Sequence, residues 1–133
     1  MIDAIALRAQ PLLLSILRIM GALLLLQHGL QKITGWPPSP RPMPELFSQI
    51  WFAGFLELIG GALLLVGLWT RPVAFVLAGL MAFAYFIGHA PRGFLPVLNG
   101  GNLAILYCFV FLYLSAAGPG PISLDAMRAR KAA

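Results

Sequence analysis

Charge is what this chain has least of. Among 133 residues there are nine Lys or Arg, four Asp or Glu and two His. Cysteine is nearly absent as well. Cys108 stands alone in an apolar run, which excludes an internal disulfide, a Cys-x-x-Cys redox pair and a thiolate zinc cluster. It reads as a small packed hydrophobe. Phosphate-cradling loops, nucleophile elbows and dinucleotide fingerprints are missing from the sequence too. The net charge of +5 does not signal a nucleic-acid partner, because the basic residues are scattered and form no soluble basic patch.

What the chain has in excess is oil. Apolar residues make up 60% of it and the mean hydropathy is +0.89. Soluble domains are usually about 45–50% apolar. Here the apolar residues are contiguous, so the expectation is an all-α integral membrane protein forming one domain over residues 1–133. A hydrocarbon core of about 30 Å needs about 20 helical residues. Four segments fit, at about 12–30, 50–69, 72–89 and 101–117, and predict a four-helix bundle. Pro11 precedes the first, Pro72 opens the third and Pro91 ends it near His89. The fourth stops at Gly118-Pro119-Gly120-Pro121. The first segment has Arg8 before it, as a signal peptide would. Arg18 interrupts it, however, and no small-residue cleavage site follows, so a retained span is expected.

The loops give the orientation. Arg8, Arg71, Arg128, Arg130 and Lys131 fall on one side, and Lys32, Arg41 and Arg92 on the other. Five against three predicts both termini in the cytoplasm. Trp36, Trp51 and Trp69 sit at span ends, where amphipathic rings prefer the interface. Residues 34–49 hold five prolines and form a stiff, extended connection.

Against this background five ionisable side chains inside or at the ends of spans are informative: Arg18, His28, Lys32, Glu57 and His89. An ionisable group within a bilayer span is costly and by default marks a ligand, ion or proton site. Arg18, Gly21, Leu25, His28 and Lys32 follow at spacings of three and four, hence on one helix face. Glu57 lies about 10 Å deep, on the face of Gly60 and Gly61. An alanine stripe in the third span leads toward Tyr85 and His89, and the fourth is entered through Asn99 and Asn102. Each span therefore contributes polar groups near the extracytoplasmic end, with Arg18 deeper.

On the functional reading His28, Lys32 and Asn102 donate hydrogen bonds, Glu57 and His89 handle protons, and Arg18 tunes Glu57. Tyr85 and Asn99 complete the ligand-binding set. A structural reading stands beside it. Lys32 snorkels to the headgroups, His89 closes its helix, Asn99 and Asn102 cap the fourth span, and Arg18 pairs with Glu57 to fix register. The pocket is net positive and rich in donors, which suits a small anion or the carbonyl oxygens of a quinone head group. Two histidines and one carboxylate beside two cations make a poor metal site, so no metal is expected. Bis-histidine haem requires His28 and His89 to face each other.

The sequence resembles the DoxX family of small bacterial membrane proteins. The carrying segments are His28-Gly29-x-x-Lys32, Glu57-x-x-Gly60-Gly61, Leu65-x-Gly67-Leu68-x-Thr70-Arg71, His89, Asn99-Gly100-Gly101 and Gly118-Pro119-Gly120-x-x-Ser123-Leu124-Asp125. The resemblance implies a four-helix bundle in the bacterial inner membrane, linked to quinone-dependent oxidoreductases or anchoring a redox enzyme as its partner. The family usually continues Asn-Gly-Gly with an acid, and Asn102 stands there instead. Proton chemistry would then rest on Glu57 and the histidines. Three functions follow as expectations: a quinone- or anion-binding redox protein, a non-catalytic anchor, and a small-solute carrier. The sequence leaves homo-oligomerisation open.

Overall fold

The computed structural model describes residues 2–132. Helix α1 runs Ile2–Thr34, α2 Gln49–Val66, α3 Thr70–Ala84, α4 Pro96–Asn99, α5 Asn102–Ala117 and α6 Leu124–Ala132. Among the described residues no strand occurs. Among the described residues, three helices are long and apolar enough to cross a membrane: Ile2–Thr34, Gln49–Val66 and Thr70–Arg92. The apolar α5 is shorter, at 16 residues or about 24 Å.

Helix α1 starts well before the expected position near Leu12. Pro11 lies inside it. The ring removes one N–H, and the Leu7 carbonyl left without a donor belongs to an exposed stretch where solvent or headgroups satisfy it. At 33 residues, about 50 Å, α1 overhangs a bilayer core. Helix α2 begins where the Ser48 hydroxyl accepts from the Trp51 N–H at 3.2 Å, and ends at Gly67, whose φ of +68° is left-handed. Helix α3 does not end at a simple cap. It widens into a π-helical turn at Tyr85–His89 and tightens into a 3₁₀ turn at Ala90–Arg92, with Pro91 near its start.

Helix α1 packs chiefly on α2, and α3 on α5, with the α2–α3 hairpin joining the pairs. Small residues set the spacing. A Cβ placed on Gly29 would lie 2.7 Å from the Leu58 nitrogen, and one on Gly54 would lie 2.5 Å from the Lys32 Cβ. The α1 and α2 backbones thus nearly touch, as small-residue helix contacts in membranes allow. The core holds Ala22, Leu25, Leu64, Leu77, Phe111 and Leu114. Outward faces carry Leu17, Phe55, Phe75 and Phe109, all exposed. A soluble protein would hide that surface; a bilayer solvates it.

Candidate functional site

Two polar regions lie at opposite ends of the helices. At the end where α6 lies, Arg18 has no exposed surface at all. Its Nε donates to the Pro119 carbonyl at 2.8 Å and Nη1 to the Leu65 carbonyl at 2.8 Å. Further bonds reach the carbonyls of Leu64 and Ile122. These close the C-terminal end of α2 and pin the turn before α6. Ser15 adds to the clasp by accepting from the Ile122 N–H at 3.2 Å. The Asp125 carboxylate accepts from the backbone N–H groups of Trp69 at 2.9 Å and Thr70 at 2.8 Å, capping α3. Partial burial pushes the Asp125 carboxyl up, but the Thr70 and Trp69 donors together with the nearby Arg128 charge leave the group below its ordinary value.

Arg18 is therefore not the partner of Glu57. It stands 14 positions before Lys32 on α1, about 20 Å along the axis. Glu57 pairs with Lys32, Nζ to Oε1 at 2.6 Å. Lys32 does not simply snorkel; its ammonium turns toward α2.

Around that pair lies a cavity of about 220 Å³. His28, Lys32, Glu57, His89 and Tyr107 line it, with Arg41 from the proline-rich loop and apolar walls from Leu25, Met81 and Leu103. Glu57 is 3% exposed and Tyr107 6%. Among the described residues, Glu57 Oε2 and the Tyr107 hydroxyl are buried without a hydrogen-bond partner. The Tyr107 ring meets His28 edge-on, centres 6.4 Å apart, and stacks on Phe111. A buried, unsatisfied carboxylate oxygen and phenol are each costly, and both residues line this one cavity.

The remaining expected residues divide. His89 reaches the cavity. Its Nδ1 lies 3.1 Å from the Asn99 carbonyl and 2.9 Å from Arg92 Nη2. With a proton on Nδ1 it donates to Asn99; without one it accepts from Arg92. Tyr85 stacks on His89, centres 6.5 Å apart, and supports it rather than lining the cavity. Asn99 is buried but internally engaged, donating to the Gly93 carbonyl and accepting from the Gly101 N–H, both at 2.8 Å. It shapes the turn into α5. Asn102 is exposed at the start of α5 and absent from the cavity wall. Among the described residues no three His, Cys, Asp or Glu side chains converge as metal ligands would.

The model of the DoxX family matches residues 13–90, more than half of the sequence. The chain belongs to the DoxX family. It is 40% identical to an uncharacterised Haemophilus influenzae protein over 121 residues, 87% of this chain and 90% of the relative. It is 31% identical to the Escherichia coli inner membrane protein YphA over 129 residues, 88% and 91% of the two chains. No solved structure matches it. With three helices long and apolar enough to span, this DoxX protein is a multi-pass inner-membrane protein.

The DoxX match takes in Arg18, His28, Lys32, Glu57 and His89, and ends before Tyr107. Tyr107 and Arg41 were not foreseen as site residues. Tyr107 had one sequence signal: with Ala104, Phe111 and Leu114 it forms a stripe at spacings of three and four, which is the buried face of α5. Arg41 had none, because an extended loop carries no periodicity.

Proposed function

We propose that this DoxX protein binds a quinone head group in the cavity between His28, Glu57 and Tyr107, and works beside a redox enzyme as its electron-transfer partner. On this reading α5 is the fourth span of a four-helix bundle and both termini are cytoplasmic. The clustering of Arg8, Arg71 and the basic α6 residues at the Arg18 end supports that orientation. The observation that carries the proposal is the pair of orphaned polar atoms, Glu57 Oε2 and the Tyr107 hydroxyl, in two residues that line one cavity. At about 220 Å³ the cavity is below the common range of about 300–1,000 Å³ for ligand sites, so it takes a head group and not a whole lipid-sized molecule. A second groove of about 400 Å³ shares Lys32, Arg41, Ala84 and His89 with it. That groove is walled by Ile50, Ala53, Leu80, Phe83 and Ile87, between α2 and the end of α3. The apolar walls of this groove offer an isoprenoid tail a way out of the cavity, which favours a quinone over a free anion. His28 and His89 are the residues placed to pass protons to and from the ring.

The anchor reading is favoured by one contact. The Lys32–Glu57 pair crosses the α1–α2 seam beside Gly29 and Gly54, where it fixes register whether or not anything binds. Extraction of the protein purified from native membranes decides between them. One quinone per chain, reduced well below that by Glu57→Gln in a protein that still inserts, supports the binding site. Quinone at the level of bulk lipid in both proteins supports the anchor.

A further inference from the structure

We propose that the cavity selects the reduced, hydroxyl-bearing quinol over the oxidised quinone. The inference rests on the quinone-site reading and deepens it. Sequence alone suggested a pocket crowded with hydrogen-bond donors, which would favour the carbonyl oxygens of a quinone. The structure commits several of those donors elsewhere, while Arg41, His28 and His89 stay on the wall and can serve a ring oxygen of either form. Lys32 turns its ammonium on Glu57 Oε1 at 2.6 Å. Arg18 serves backbone carbonyls at the opposite end. The Asn99 amide donates to Gly93, and Asn102 is exposed outside the wall.

What separates the two forms is a group of the other polarity. Paired with Lys32, Glu57 is a carboxylate, and a carboxylate oxygen only accepts. Its Oε2 is buried and unpartnered. A quinone offers that atom nothing, because both ring oxygens are acceptors as well. A quinol offers an O–H. The Tyr107 hydroxyl both donates and accepts, so it serves either form and does not discriminate. The charge-assisted bond to Glu57 exists only with the quinol, and seating a quinone carbonyl against that oxygen sets two acceptors face to face. The expected preference is about tenfold to a hundredfold, the span for one hydrogen bond to a charged group.

The test is anaerobic binding of duroquinol and duroquinone to the protein in nanodiscs, with empty discs as background. The wild type should hold the quinol tighter by about tenfold to a hundredfold. Glu57→Gln should bring the two within about threefold, since an amide presents both a donor and an acceptor. Tyr107→Phe should weaken both forms and leave their ratio unchanged. If the wild type binds the two forms alike, or prefers the quinone, the selectivity is wrong and the quinone site survives. If neither form binds above empty discs, the quinone site falls too. The wild-type ratio decides the matter even if Glu57→Gln does not fold.

Discussion

Lys32 Nζ lies 2.6 Å from Glu57 Oε1, across a seam where the two backbones are held close by glycine. The lysine side chain is 29% exposed and the glutamate side chain 4%. The carboxylate is thus the desolvated member, and the lysine reaches in from the rim. Lys32→Met strands a buried charge and should cost about 3 kcal/mol, the low end for breaking a buried pair because lysine keeps some solvent. Lys32→Met combined with Glu57→Leu should recover most of that loss. Thermal unfolding in detergent of the two single variants and the double checks this; additive losses would contradict a direct pair.

Helix spacing at the same seam gives a second expectation. A methyl on Gly29 meets the Leu58 backbone nitrogen at 2.7 Å, and backbone does not step aside as a side chain does. Gly29→Ala should lower stability by about 1–3 kcal/mol, as overpacking does elsewhere. Gly79, whose added Cβ would meet nothing within 4 Å, is the control, and Gly79→Ala should be neutral or mildly stabilising. Comparable losses in both variants would count against the close α1–α2 contact.

Arg18 should resist conservative replacement. Its fork serves carbonyls in α2 and in the turn before α6 at once. A lysine ammonium lacks the planar spread to reach them together. Arg18→Lys should lose nearly as much stability as Arg18→Met, and protease nicking near residues 118–123 should rise in both. Full rescue by lysine would show that charge alone matters there.

These expectations separate what the residues announce from what they conceal. The one-face spacing of Arg18, His28 and Lys32 follows from helical geometry and can be read directly, as can the depth of Glu57. Partner choice cannot. Whether Glu57 meets Arg18 or Lys32 depends on the axial offset of α1 against α2, which Gly29 and Gly54 set through a contact between distant segments. The π-turn at Tyr85–His89 was likewise hidden, since no local residue demands it. It matters because it lies where the chain aims Tyr85 and His89. Helix α6 was missed for the opposite reason. The glycine-proline stop at 118–121 looks final, and it is bonds to distant segments, those of Arg18, Ser15 and Asp125 among them, that fold the chain back afterwards.

Asp125 supplies a dependence on pH. Partial burial pushes its folded carboxyl up, and the Thr70 and Trp69 donors with the Arg128 charge bring it below the ordinary value. Such a group stabilises fully above the unfolded value of about 3.9 and loses that contribution as pH falls through the lower folded value. The docking of α6 should therefore hold at neutral pH and weaken below about pH 4. Asp125→Ala should weaken it at every pH, by about 1 kcal/mol for the lost cap. Amide hydrogen exchange over Leu124–Ala132 reports the docking directly. Protection that is flat from neutral to acid pH would contradict the role given to Asp125.

The claim that matters most is that Glu57 Oε2 and the Tyr107 hydroxyl wait for one ligand. A crystal structure grown from a lipidic phase with duroquinol present addresses it most directly. The account predicts ring density in the chamber beside His28, with one ring oxygen within hydrogen-bonding distance of Glu57 Oε2. Ordered water alone on both atoms, with the ring absent or lodged elsewhere, would contradict it.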